Sequence, residues 1–124
     1  MTDDRILLEG MVFFGYHGVL PAERELGQRF VVDVELYLDL RPAGLADDLG
    51  LTVDYGEVHR QAKQVVEGEP VDLTETVAER ISASVLEEHP AVRLVKVRVA
   101  KPDVRLDDTV LRGSAVEIVR RRGT

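Results

Sequence analysis

Residues 11–30 read MVFFGYHGVLPAERELGQRF, and the expected fold is organised around this stretch. It starts as an apolar run that ends in Gly15-Tyr16-His17-Gly18. A polar segment with Glu23 and Glu25 follows, and Gly27-Gln28 then leads into a second apolar run. This pattern predicts a long hairpin whose connecting loop presents a glutamate.

Composition narrows the class of protein. The 124 residues carry a formal net charge of −7 and include no cysteine. The length predicts a single domain over residues 1–124. The acidic balance argues against nucleic acid as a partner, because phosphate binding needs a basic surface. The lack of cysteine excludes disulfides and cysteine-based metal sites and suits a cytoplasmic protein. No apolar run is long enough to span a membrane.

The apolar periodicity predicts four strands and two long helices in the order β-β-α-α-β-β. The strands are expected at residues 5–19, 29–40, 92–101 and 114–120. The helices are expected at residues 54–67 and 72–88, where Asp54 with Glu57 and Asp72 with Glu75 have the spacing of capping boxes. Residues 41–53 are expected to form a connecting loop with a short helical turn near residues 45–48. Gly10 and Gly15 suggest a bulge or a close backbone approach in the first strand.

This order favours an α+β fold in which a four-stranded, mainly antiparallel sheet carries both helices on one face. Such a sheet leaves two edges and one face uncovered. Leu7, Met11 and Phe13 are expected to make that face partly apolar, and surfaces of this kind are usually covered. We therefore expect a ring-like homo-oligomer in which sheets join edge to edge.

Lys101 departs from the pattern of its strand. Val95, Val97 and Val99 face one way, and Lys101 falls on the same parity. A lysine in this position either extends its charged end to solvent past apolar neighbours or exchanges a proton with a bound molecule. Lys101 is therefore the first candidate for a catalytic residue.

The chain resembles bacterial dihydroneopterin aldolases at motifs that occur in order along nearly its whole length. The motifs are Gly15-Tyr16-His17-Gly18, Glu23, Gly27-Gln28, Val53-Asp54-Tyr55, Leu73-Thr74-Glu75 with Ala78-Glu79, and Val97-Arg98-Val99-Ala100-Lys101-Pro102. The resemblance implies the tunnelling fold (T-fold), whose subunits form tetrameric rings that stack into octamers. It also implies a lyase of folate biosynthesis that works without metal or cofactor. This enzyme would cleave 7,8-dihydroneopterin into 6-hydroxymethyl-7,8-dihydropterin and glycolaldehyde, with epimerisation at C2′ as a side activity.

The resemblance assigns catalytic roles to three residues. Lys101 would exchange a proton at N5 of the pterin. Glu23, rather than Glu25, would handle the hydroxylated side chain of the substrate. Tyr55 would reach the site from a neighbouring subunit and assist proton transfer.

The resemblance also implies how the pterin ring is held. A carboxylate at Glu75 can accept two parallel hydrogen bonds from the 2-amino group and the adjacent ring N–H. Its position three residues after Asp72 suits a helix cap equally well, so the two roles compete for the same oxygens. Val53, Asp54 and Thr74 would bind the ring mainly through backbone atoms.

His17 is interpreted as a turn residue rather than a metal ligand. The three histidines, His17, His59 and His89, have none of the close spacings typical of zinc sites. Residues 103–109 read DVRLDDT, where the family has a proline-rich run, so the resemblance does not determine the loop at 102–113.

Two alternative functions stay open. One is an epimerase that acts on dihydroneopterin triphosphate, which would need cations such as Arg24, Arg105 and Arg112 for the phosphates; the net charge of −7 does not favour it. The other is a ring-forming pterin-binding module without catalysis.

Overall fold

The computed structural model describes residues 3–123, which contain a four-stranded antiparallel sheet. The strands lie in the order β1-β2-β3-β4. Their bounds are Arg5–Gly15 (β1), Gln28–Tyr37 (β2), Leu94–Lys101 (β3) and Ser114–Arg121 (β4). The predicted order and pairing are confirmed. The first three strands are shorter than the predicted 5–19, 29–40 and 92–101.

Five helical segments connect the strands within residues 3–123. They are α1 (Pro21–Leu26), α2 (Arg41–Ala46), a 3₁₀ turn (Leu49–Leu51), α3 (Tyr55–Val66) and α4 (Thr74–Glu88). The two long helices match the prediction. The loop predicted after β1 was wrong in part, since α1 forms in it. The helical turn predicted near residues 45–48 is present but begins earlier, at Arg41, and a 3₁₀ turn follows it. None of the helices in the described chain has the length and apolar character needed to cross a membrane.

The core lies between one face of the sheet and helices α3 and α4. Alternate residues of β2 and β3 are fully buried there: Phe30, Val32, Val34, Leu36, Val95, Val97 and Val99. The helices contribute residues at helical spacing, namely Val58, Ala62 and Val66 from α3 and Val77, Ile81 and Val85 from α4. Because alternate strand residues point to the same side, this burial requires both helices on one face, as predicted.

A bulge in β1 changes which of its residues face the core. Leu8 pairs with Val34, but the next pair on this side joins Met11 to Val32, so β1 contains one extra residue between the pairs. Gly10 lies in the bulge with a φ of 69°, a conformation that favours glycine. The bulge suggested by Gly10 is therefore confirmed.

The bulge reverses the parity of the second half of β1. Met11 packs against the core, and Phe13 is only 6% exposed. Val12 and Phe14 point outward instead. The expectation that Met11 and Phe13 lie on the helix-free face was wrong, because an uninterrupted alternation cannot anticipate an inserted residue.

The helix-free face is charged across its middle. Arg5 pairs with Glu35 of the adjacent strand at 2.6 Å, and Lys96 pairs with Glu117 at 3.1 Å. Exposed apolar side chains lie on the two edge strands of this face: Leu7, Val12 and Phe14 on β1 and Val119 on β4. The face is therefore partly apolar, as predicted, although Val12 and Phe14 take the places expected for Met11 and Phe13.

Candidate active site

A lysine and a carboxylate meet at the end of the sheet where β3 ends. Nζ of Lys101 donates a hydrogen bond of 2.7 Å to Oε2 of Glu23. The two side chains are only 13% and 16% exposed. Charged side chains are seldom this buried unless they are paired. The ion pair with Glu23 therefore accounts for a lysine at position 101, where the pattern of β3 predicts an apolar residue.

The short helix α1 positions Glu23. Oε1 of Glu23 accepts the backbone N–H of Leu20 at 3.3 Å, which caps the start of the helix. Oε2 accepts a second hydrogen bond, from Nε2 of Gln28 at 2.9 Å, beside the bond from Lys101. Gln28 is a site residue that sequence reasoning missed, although Gly27-Gln28 is among the family motifs. Glu25 is exposed, so Glu23 is the glutamate that meets the lysine.

The pKa of Glu23 lies below its usual value. Burial acts in the opposite direction and raises this pKa, because it disfavours the charged carboxylate. The hydrogen bonds from Lys101, Gln28 and the Leu20 N–H together outweigh burial. Glu23 is therefore ionised at neutral pH and held as a hydrogen-bond acceptor.

The first turn of α4 lies at the same end of the sheet. Helix α4 packs on β3 and runs in the opposite direction, so its start lies near the end of β3 at Lys101. Thr74 and Glu75 occupy this first turn; Thr74 is half-buried and Glu75 is exposed. We call the region formed by Glu23, Thr74, Glu75 and Lys101 the Lys101 end. A carboxylate at a helix start is favoured by the helix dipole.

The capping box predicted between Asp72 and Glu75 does not form. The N-cap residue of α4 is Leu73, and the Asp72 carboxylate pairs with Arg24 instead. Within the described chain, Glu75 makes no side-chain hydrogen bond. Its carboxylate is therefore available to a bound molecule, and the competing use as a helix cap is removed.

Val53, Asp54 and Tyr55 lie at the opposite end of the sheet, which we call the Tyr55 end. The Asp54 carboxylate accepts the N–H of Gly56 at 2.9 Å and caps α3, as predicted. Within the described chain, the side chain of Glu57 does not complete the predicted capping box. Tyr55 is 61% exposed and Val53 is 5% exposed. Both line an open cavity of about 590 Å³ together with Ile6, at the start of β1.

The two ends of the sheet are separated by the length of α3. The helix has 12 residues and so measures roughly 18 Å at 1.5 Å per residue. It begins at Tyr55, and its last residue, Val66, contacts His17 just after β1. One chain therefore brings Lys101 and Glu23 together but holds Tyr55 far from them.

The loop that follows Lys101 is anchored at its beginning. Arg29, near the start of β2, donates two hydrogen bonds of 2.8 and 2.9 Å to the carboxylate of Asp103. Farther along the loop, Val110 is 97% exposed. Residues 103–109 replace the family's proline-rich run. This segment is fixed to the sheet next to the Lys101 end through its first residue, Asp103.

Metal ligation was assessed over residues 3–123. No group of three or more histidine, aspartate or glutamate residues in this range is placed to hold a metal ion. His17 is completely buried at the end of β1.

Sequence comparison relates the chain to characterised proteins. The profile of the dihydroneopterin aldolase family matches residues 6–119. A dihydroneopterin aldolase of Streptomyces coelicolor is 50% identical over 123 residues, covering 96% of this chain and 98% of the relative. A dihydroneopterin aldolase of Bacillus subtilis is 46% identical over 119 residues, with the same coverage.

Structural comparison gives the same result. The fold matches the crystal structure of Escherichia coli dihydroneopterin aldolase in complex with neopterin with a TM-score of 0.85 and 26% identity. The match covers 94% of this chain and 98% of the other. The T-fold expected from the sequence is thus the fold observed.

Proposed function

The chain belongs to the dihydroneopterin aldolase family, and we propose that it cleaves 7,8-dihydroneopterin at the Lys101–Glu23 pair. It is a lyase of folate biosynthesis. The products are 6-hydroxymethyl-7,8-dihydropterin and glycolaldehyde. The ion pair between Lys101 and Glu23 is the observation that supports this location of the site. The lysine and the ionised glutamate are 2.7 Å apart and mostly shielded from water.

The proposed chemistry requires four proton transfers, two onto the pterin side of the substrate and two away from the substrate, and no net oxidation. Lys101 supplies a proton to N5 of the pterin, so that the ring imine can accept the electron pair of the C1′–C2′ bond as it breaks. Glu23 receives the proton of the 2′-hydroxyl as C2′ becomes the aldehyde carbon of glycolaldehyde. The resulting enamine takes up a proton at C1′ and loses the proton at N5. This is acid–base catalysis with the reactants held in position.

Glu75 is proposed to hold the pterin ring. Its carboxylate is exposed, has no hydrogen bond within the described chain, and is followed by the rest of a helix whose dipole favours its charge. Two hydrogen bonds from the 2-amino group and the neighbouring ring N–H would orient the substrate. Thr74 contributes its backbone beside Glu75. The neopterin complex of the E. coli relative supports a pterin ligand.

The remaining site residues are proposed to come from a neighbouring subunit. Tyr55 assists proton transfer at the substrate side chain, while Val53 and Asp54 bind the ring through backbone atoms. Because one chain holds the two ends of its sheet roughly 18 Å apart, a complete site needs the Tyr55 end of a second copy.

Edge-to-edge pairing would provide that second copy. Strands β1 and β4 are the two edges of the sheet, so single-domain subunits can join β1 to β4 and close into a tetrameric ring. Two such rings form the proposed octamer. We place this assembly in the cytoplasm.

Epimerisation at C2′ is a proposed side activity. The enamine left by bond cleavage can add glycolaldehyde back on its other face, which inverts C2′ before the product is released. The same residues would serve both reactions, because only the face of addition differs.

A product assay tests the function. The purified protein is incubated with 7,8-dihydroneopterin in the presence of EDTA, and glycolaldehyde and 6-hydroxymethyl-7,8-dihydropterin are quantified. A parallel reaction contains dihydroneopterin triphosphate. We expect cleavage of the unphosphorylated substrate and no loss of activity with EDTA. Turnover of the triphosphate alone would favour the epimerase, and no turnover of either substrate would favour a binding module.

A further inference from the structure

His17 is a buried polar residue that the proposed mechanism does not use. The side chain is 0% exposed and packs edge-on against Phe30, with ring centroids 5.3 Å apart. Both ring nitrogens nevertheless have backbone partners. Nε2 lies 2.7 Å from the carbonyl oxygen of Val66, and Nδ1 accepts the N–H of Val71 at 3.1 Å.

These two bonds assign the protonation state of the ring. Because Nδ1 accepts a hydrogen bond, the proton must be on Nε2, which donates to Val66. Burial is the main factor that lowers the pKa of His17 and so keeps the imidazole neutral, although the Val66 carbonyl opposes it. The positive charges of Arg24, Lys101 and Arg80 act in the same direction as burial. A neutral ring is the form that can both donate and accept.

The residue after His17 makes a second contact with the same residue, Val71. The N–H of Gly18 donates to the carbonyl oxygen of Val71 at 2.9 Å. Val71 is therefore held through its N–H by His17 and through its carbonyl by Gly18. Gly18 also lies directly against Glu23: a Cβ at this position would be 2.3 Å from Oε1 of the glutamate.

Arg24 adds an outer connection between the same segments. Its Nε donates to the carbonyl oxygen of Gly18 at 3.1 Å, and its Nη2 bonds the carboxylate of Asp72. The segment that carries Glu23 is thus bonded to residues 71–72, which lead directly into Thr74 and Glu75. We call this set of contacts between residues 17–24 and residues 66–72 the His17 bracket.

We propose that His17 is a positioning residue that sets the placement of Glu23 relative to Glu75. The inference rests on the proposed function, in which these two carboxylates contact opposite parts of one substrate. His17 is the buried polar side chain of the bracket. It joins three parts of the chain: the segment just after β1, the end of α3 and the segment before α4. It acts on the substrate only through the residues it holds.

Three variants test the proposal. His17→Phe keeps a ring but removes both hydrogen bonds. His17→Gln keeps one donor and one acceptor on its amide, as in the neutral imidazole. His89→Phe is the matched control, because His89 is also buried, at 7% exposed, and bonds Gln61 outside the bracket. For each variant, kcat and KM for 7,8-dihydroneopterin are measured, together with hydrogen exchange at the Gly18 amide.

The Gly18 amide is an informative probe because its acceptor, the Val71 carbonyl, remains in every variant. For His17→Phe we expect faster exchange at this amide and a fall in kcat/KM of about 10²-fold, since small displacements of positioned groups have effects of that size. His17→Gln should restore most of both. His89→Phe should leave both near wild-type values even if the melting temperature falls.

Several results would overturn the proposal. They are an unchanged kcat/KM or Gly18 exchange in His17→Phe, or an equal loss of activity in His89→Phe. If His17→Phe does not fold, Asp72→Ala removes the exposed outer contact of the bracket and should raise KM and Gly18 exchange by a smaller factor; no change would again contradict the proposal. A wild-type protein without aldolase activity would refute the proposed function, while the exchange comparison would still test the bracket.

Discussion

The two ends of the sheet differ in how complete they are within one chain. At the Lys101 end, Glu23 and Lys101 are already bonded and mostly buried. At the Tyr55 end, the tyrosine is 61% exposed beside an open cavity. The first end is built by the subunit's own folding. The second presents an exposed tyrosine whose proposed catalytic partners lie at the other end of the sheet. The difference supports the proposal that the second end completes a site in another subunit.

The largest expected effect on activity comes from a substitution at the Lys101 end, which is complete within one chain. Lys101→Met should lower kcat by about 10³-fold, because it removes the proposed proton donor at N5. Lys63→Met is the control, since Lys63 is an exposed lysine that pairs with Glu67 on α3. Steady-state kinetics with 7,8-dihydroneopterin measure both. A Lys101→Met enzyme with kcat near wild type would refute the proton-transfer role.

A smaller loss is expected at the other end. Tyr55→Phe should lower kcat by about 10²-fold, since the hydroxyl only assists a proton transfer that has other participants. Tyr37→Phe provides the comparison, because the Tyr37 hydroxyl bonds Glu35 on the helix-free face. Equal activities of the two variants would mean that the exposed tyrosine has no part in catalysis.

The pH dependence of stability shows whether the ion pair between Glu23 and Lys101 stabilises the fold. The pKa of Glu23 is lower in the folded protein than its ordinary value of 4.5. Its ionised form therefore stabilises the fold above about pH 4.5, and this contribution is lost as the pH falls through the folded pKa.

Glu23→Gln should accordingly be less stable than wild type at pH 7, by about 1 kcal/mol. The difference in unfolding free energy should shrink as the pH falls below 4.5, the ordinary glutamate value. Urea titrations at several pH values measure this, with Glu25→Gln as the exposed control. A difference that stays constant with pH would show that the charge of Glu23 adds nothing to stability.

The Lys101 end was partly predictable from the sequence. Lys101 follows Val95, Val97 and Val99 on the buried side of β3, where another apolar residue is expected. This departure from the pattern indicates a site without any knowledge of relatives. The choice of Glu23 over Glu25 came from the resemblance, because both lie in a short polar segment. The sequence alone did not indicate a role for Gln28. It is a single polar residue at the start of β2, and a polar residue is common in such a position.

The apolar periodicity of the sequence did not predict two structural features, and each has a physical reason. Helix α1 has six residues and no buried ones, so it lacks the apolar stripe from which helices are predicted. It is stabilised instead by the side chain of Glu23 at the Leu20 N–H. The second feature is the orientation of the later half of β1. Gly10 suggested the bulge itself, but the alternating pattern was read without the inserted residue and so assigned that half to the wrong face.

The separation of the two ends was not accessible from the periodicity, and only the resemblance placed Tyr55 on a neighbouring subunit. Nothing in the motif around Tyr55 indicates that α3 carries it away from Lys101. The packing of α3 along the sheet sets that distance, and packing depends on the whole core. The proposal that two subunits share each site came from the resemblance, and the distance between the two ends of one chain supports it.

A mixed oligomer tests this claim most directly. Lys101→Met and Tyr55→Phe subunits are unfolded together, refolded as a mixture, and assayed with 7,8-dihydroneopterin. If each site takes Lys101 from one chain and Tyr55 from its neighbour, random assembly restores both groups in about a quarter of the sites, half times half. We predict about that fraction of wild-type activity, far above either variant refolded alone. A mixture no more active than the separate variants would contradict the shared site.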